Sequence, residues 1–194
     1  MVKYTQSDAG GPAPVWRQSP VRVRALAPEA LGRQVIERLE EYGYPVASAN
    51  PLFRTLAVHE DAFSRWLPWH VQLVHGDLDE RSRELVILRT AWRCRAQYVW
   101  DRHVVRAKAA GITDAEVTGI LGGTGEAGWT PFDAALLKLV DELHDSGVVG
   151  DATWPRLAGL LDERQLVELV LLIGYYHMIA YFANATGVPL DQAG

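Results

Sequence analysis

The stretch RELVILRTAWRCRAQYVWDRH, residues 83–103, decides the fold. Leu85, Ile87, Leu88, Ala91 and Trp92 recur at helical spacing, and Asp79 with its acidic neighbours suits the first turn of that helix. It is expected to end near Arg95. A second helix is expected from about Ala96 to Ala110, closed by Gly111. Two polar groups interrupt these apolar faces. Glu84 shares a face with Ile87, Leu88 and Ala91, where an ionised carboxylate needs a partner, and a salt bridge to Arg81 or Arg83 is the ordinary way to meet that need. His103 lies one turn beyond Val99 and Trp100 and one turn before Ala107, a titratable ring on an apolar stripe. Two consecutive antiparallel helices would bring the pair together, with the carboxylate orienting the imidazole for proton transfer.

Outward from this segment the pattern stays helical. Runs with a 3.6-residue apolar period recur, alternating β-branched runs are scarce, and the expected class is all-α. A helix beginning near Pro28 stops before Gly43-Tyr44-Pro45, and Asn50-Pro51 opens a helical pair reaching about Val74. Thr113-Asp114-Ala115-Glu116 reads as a capping box for a short helix ending at Gly122-Gly123. Helices near Pro131 to Ser146, Asp151 to Leu161 and Asp162 to Thr186 complete the series. The run LVLLIGYYHMIAYFA, Leu169 to Ala183, is too short for a membrane span, carries His177 and reads as the central core helix. Residues 1–27, rich in Gly, Pro and Ser, read as a loose arm, and residues 28–194 as one domain.

Composition narrows the function. A net charge of -5, without a cluster of Lys and Arg, argues against nucleic acid. Cys94 is the single cysteine, which rules out an internal disulfide and a multi-thiolate zinc site; a reducing cytoplasm is the expected setting, and no secretory signal is visible. His59, His70 and His75 match no zinc spacing, so surface or interface roles are expected for them, and no metal or other cofactor is expected. Cys94 fits a buried, inert thiol better than a nucleophile. Tyr98 and Trp100 flank His103, and a tyrosine hydroxyl there is suited to donating to a developing oxyanion; ordinary aromatic packing fits both equally. His177, beside Tyr175 and Tyr176, is a second buried histidine placed to line the same cavity, although a core histidine bonded to a backbone carbonyl is the commoner case.

RELVILRTA, then QYVWDRH, then AKAAGITDAEV together resemble the core of the carboxymuconolactone decarboxylase and alkylhydroperoxidase D family. The likeness extends from about Pro28 to Asp191, with GYYHMIAYFANATGVPLD similar to the closing helix of longer members. It implies paired helices, self-association as a trimer, hexamer or dimer, and a pocket near the subunit contacts. In the peroxidase branch a Glu precedes a Cys-x-x-Cys pair and a His follows the second Cys by four residues. Aligned on His103, the Glu falls on Glu84, while the cysteine positions hold Ala96 and Val99 and Cys94 lies two residues before the first. Non-redox members carry Tyr-Glu-Trp where this chain has Tyr98-Val99-Trp100. The resemblance therefore implies a cofactor-independent lyase, decarboxylase, isomerase or hydrolase acting on a small, largely apolar carbonyl or lactone. His103 would be the acid/base, Glu84 its orienting partner and Tyr98 the donor, with Trp100, His177, Val99 and Tyr176 against the substrate. The alternatives are a peroxidase using Cys94 with an external thiol, and a binding or assembly protein that keeps Glu84 and His103 as a buried pair.

Overall fold

The structure, a computed structural model, describes residues 4–6, 12–14, 16–125 and 128–190. The all-α expectation is borne out. The helices are α1 (Arg33–Glu41), α2 (Pro51–Leu56), α3 (Glu60–Val74), α4 (Glu80–Arg93), α5 (Gln97–Ala109), α6 (Asp114–Gly122), α7 (Pro131–Ser146), α8 (Trp154–Ala158) and α9 (Glu163–Thr186). The exception lies in the N-terminal segment, where β1 (Tyr4–Gln6) pairs antiparallel with β2 (Pro12–Pro14), Thr5 opposite Ala13.

The described residues form two compact units. One, residues 18–76 and 182–194, holds α1 to α3. Asn50 caps α2 by accepting from the Phe53 N–H at 3.0 Å, and Pro51 fills the first helical position, as the sequence suggested. His59 caps α3 with its ring nitrogen, His75 ends it, and His70 stacks on Trp66 at 4.9 Å beside Phe53. At the far end Arg22 and Val23 both donate backbone N–H bonds to the Thr186 carbonyl. The next residue, Gly187, has φ +71, and a Cβ there would sit 2.1 Å from the Pro20 carbonyl oxygen. Only glycine meets both conditions.

The other unit, residues 1–17 and 77–181, is organised by α4, which packs against α5, α6 and α7. Every α4 residue from Ser82 to Ala91 is buried, so this helix, and not α9, is the central one. The apolar residues of α9 run round its whole circumference, but only one face is covered. Leu169, Leu172, Ile173, Tyr176 and Ala180 are buried, whereas Val167, Leu171, Met178 and Tyr181 are 61%, 42%, 47% and 58% exposed. With 24 residues and a mean hydropathy of 1.7 over its most apolar window, α9 is the one described helix long and apolar enough to cross a membrane; half of that window is buried.

Burial of α4 forces its polar groups into pairs. Arg89, 6% exposed, clamps Asp141 of α7 through two bonds of 2.8 Å and donates to the carbonyls of Ile120 and Leu121 at the end of α6. Gly123 follows at φ +71, and a Cβ there would lie 2.5 Å from the guanidinium. Arg81 binds Glu116 at 2.6 Å and Asp133 at 3.2 Å, and the guanidinium holds the Glu116 carboxyl down at about 2. Removing one partner of a buried pair strands the other's charge, at a cost of about 3–5 kcal/mol. Asp141→Ala is therefore expected to lower unfolding stability by that order in urea titrations, well beyond the effect of Asp114→Ala in the exposed pair with Lys108.

Candidate active site

The α4–α5 connection places the site. Cys94 caps α4, Arg95 takes the left-handed conformation at φ 53, and Ala96 donates back to the Ala91 carbonyl at 2.9 Å while Arg95 donates to Trp92 at 3.1 Å. This doubly bonded helix end usually employs glycine at the left-handed position; here it is arginine, and the chain turns directly into α5. The turn sets Glu84 on α4 within 2.7 Å of the His103 Nδ1 on α5, both groups more than nine-tenths buried. The sequence expectation that these two meet is fulfilled geometrically. Arg81, one candidate for pairing with Glu84, is instead engaged by Glu116 and Asp133.

In this arrangement Nδ1–H of a neutral His103 donates to the carboxylate, which leaves the lone pair on Nε2. Burial pushes the imidazole below its ordinary value of 6.5; the Glu84 hydrogen bond and charge oppose that shift, and Arg106 and Arg102 add to it. The Tyr176 and His103 rings meet in a T-shaped contact at 5.0 Å between centroids and 88°. Tyr98, by contrast, precedes His103 by five residues, roughly 140° around the helix; its ring lies under Arg102 at 5.6 Å. Trp100 packs with Trp16 and Trp92, and Val99, one turn before His103, is buried. Tyr176 is thus the candidate phenol that meets the pair.

His177 faces a different neighbourhood. Its Nε2 lies 3.0 Å from the His144 Nδ1 and its Nδ1 donates to the Ile173 carbonyl at 2.8 Å, with Tyr181 against its ring. Cys94 is hydrogen-bonded to Tyr181, and burial pushes its thiol up to about 11. Burial also lowers His144, helped by the charges of Arg93 and His177. No local motif marks His144 in the sequence: it comes from α7, and only the fold brings it beside Cys94 at the end of α4 and His177 of α9.

The helical fold thus carries a buried carboxylate–imidazole pair next to a phenol ring. Residues 60–142 match the carboxymuconolactone decarboxylase family model. Among solved structures, the alkylhydroperoxidase core protein of Ralstonia eutropha JMP134, described as an uncharacterized peroxidase-related protein, superposes with a TM-score of 0.73 at 17% identity, covering 90% of this chain and 94% of that one. An uncharacterized peroxidase-related protein from Silicibacter sp. TM1040 gives 0.71 at 13%, covering 89% and 94%. The debrominase Bmp8, in a cysteine-to-alanine variant complexed with 2,3,4-tribromopyrrole, gives 0.69 at 12%, covering 91% and 95%. A search of curated proteins found no match. At these identities the structural likeness establishes the fold.

The depressed His103 makes stability pH-dependent. Between its folded value and 6.5 the unfolded chain binds a proton that the folded chain does not, so stability rises with pH across that window. The contribution is complete above 6.5 and is lost as pH falls through the folded value. Urea midpoints measured downward from pH 7.5 are expected to decline below about 6.5, and less steeply in His103→Gln; equal slopes in the two proteins would exclude His103 as the source.

Proposed function

We propose that the chain is a cofactor-independent acid/base enzyme acting on a small, largely apolar carbonyl or lactone compound. The 2.7 Å contact between Glu84 and the His103 Nδ1, buried and beside Tyr176, carries this reading. Glu84 fixes the tautomer and orientation of the ring. His103 accepts a proton from substrate carbon or hydroxyl at Nε2 and returns it to the product. The imidazolium formed in between is stabilised by Glu84, and the Tyr176 hydroxyl is the donor available to a developing enolate oxygen. Two further observations support proton transfer over dithiol redox chemistry: Ala96 and Val99 stand where the peroxidase branch has cysteines, and the Cys94 thiol is held protonated by burial.

A panel of lactones, enol acids and aromatic ketones, screened by absorbance, tests the assignment. For any compound turned over, His103→Ala is expected to lower kcat by about 10²–10⁴-fold, Glu84→Gln to lower it while shifting the pH profile, and Cys94→Ser to leave it unchanged. Turnover retained in His103→Ala would remove the proposal. Peroxide consumption lost only in Cys94→Ser would support the thiol alternative.

Self-association belongs to the same reading. Val167, Leu171, Met178 and Tyr181 recur at intervals of four, seven and three residues along one exposed side of α9, an apolar stripe of the kind that a second copy covers. Light scattering is expected to give an oligomer for the native chain and a smaller species for Leu171→Glu; identical masses would argue against this contact.

A further inference from the structure

Three side chains outside the Glu84–His103 site converge from three helices: Cys94 at the end of α4, His144 in the last turn of α7 and His177 in α9. Their ligand atoms all lie within 4.8 Å of one another, and each residue is partly accessible. We infer that Cys94, His144 and His177 form a Cys-His₂ site for a single zinc-class divalent ion, its fourth position left to solvent or an exogenous ligand.

Donor type comes first. One thiolate and two imidazoles form the soft set that favours zinc and its neighbours over magnesium or calcium. Spacing comes next: around a four-coordinate zinc, with bonds of about 2.0–2.3 Å, neighbouring donors stand roughly 3.3–3.6 Å apart. The His144 Nδ1 and His177 Nε2 are already 3.0 Å apart. The widest pair, at most 4.8 Å, needs to close by no more than about 1.5 Å.

The histidine rings are also oriented for a metal. The Ile173 carbonyl accepts from the His177 Nδ1, which fixes the tautomer with its Nε2 lone pair turned toward His144. A backbone carbonyl behind a ligating imidazole is the usual outer partner of a metal-bound histidine. In the metal-free state one proton, on the His144 Nδ1, fills the gap between the rings. Moving that proton to the His144 Nε2 leaves two nitrogen lone pairs facing one point, and loss of the thiol proton supplies the third donor. The Tyr181 hydroxyl, hydrogen-bonded to Cys94, is placed to donate to the bound thiolate. The field favours a cation as well: α4 and α7 both end here with their carbonyl poles, and the adjacent Arg93 guanidinium is held by Asp141 and Asp145.

Cobalt(II) titrated into the reduced, full-length chain under inert gas tests the site. The expected result is one ion per chain, the intense visible bands of four-coordinate cobalt, a near-ultraviolet thiolate-to-cobalt band, and displacement by zinc. Because Cys94 is the single cysteine, that thiolate band has one possible source within the chain. Cys94→Ser is expected to abolish it, His144→Gln and His177→Gln each to weaken binding at least tenfold, and His75→Gln to change nothing. Weak six-coordinate spectra without a thiolate band in the native protein would overturn the inference, as would unchanged affinity in both histidine variants. The native titration decides the question even if a variant fails to fold.

Discussion

A guanidinium taken out of water between three helices imposes the strictest demand on this fold. Arg89 sits in a helix buried at every residue from Ser82 to Ala91, so its donors must be met by the protein, and they are met by the two carboxylate oxygens of α7 and the terminal carbonyls of α6. Those bonds fix where α6 ends and how α7 lies along α4, and they leave room for nothing larger than hydrogen on Gly123. Whether such a network adds net stability over an apolar core is a separate matter. What it does supply is a single arrangement, because sliding α7 by one turn would leave several charges unpaired.

The Glu84–His103 pair depends on the same frame. Glu84 lies about five residues before Arg89 on the rigidly held helix, and the tight turn at Arg95 delivers α5 at a fixed register. A carboxylate and an imidazole at 2.7 Å, closed off from water, interact far more strongly than the same pair would at a surface. Proton transfer and structural pairing make the same demand for geometry, and they differ in whether Nε2 meets a substrate.

Much of this was legible in the sequence, for reasons that can be named. Helix boundaries follow caps and breakers: Asn50-Pro51, the Thr113–Glu116 box and Gly111 all stand where the helices begin or end. Glu84 and His103 stood out because each broke an apolar face, and a two-helix hairpin is short enough for spacing to predict contact. Tyr98 is near His103 along the chain, whereas the Tyr176 ring reaches His103 from about 70 residues away on α9, a meeting that spacing cannot predict. His144 carries no signal of its own, because it belongs to an ordinary amphipathic helix, and its meeting with Cys94 and His177 is set by tertiary packing alone. The composition of α9 predicted burial but not on which side, since a helix apolar all round carries no directional signal.

The junction at Gly187 shows how little mass can govern a fold's closure. A segment near the beginning of the chain and the last turn of its longest helix are held together by two backbone bonds to one carbonyl, and the approach is closer than a methyl group permits. Such a seam tolerates no drift at that position: the side chain there has a size limit of a single hydrogen atom, while the residues around it remain free to vary in character.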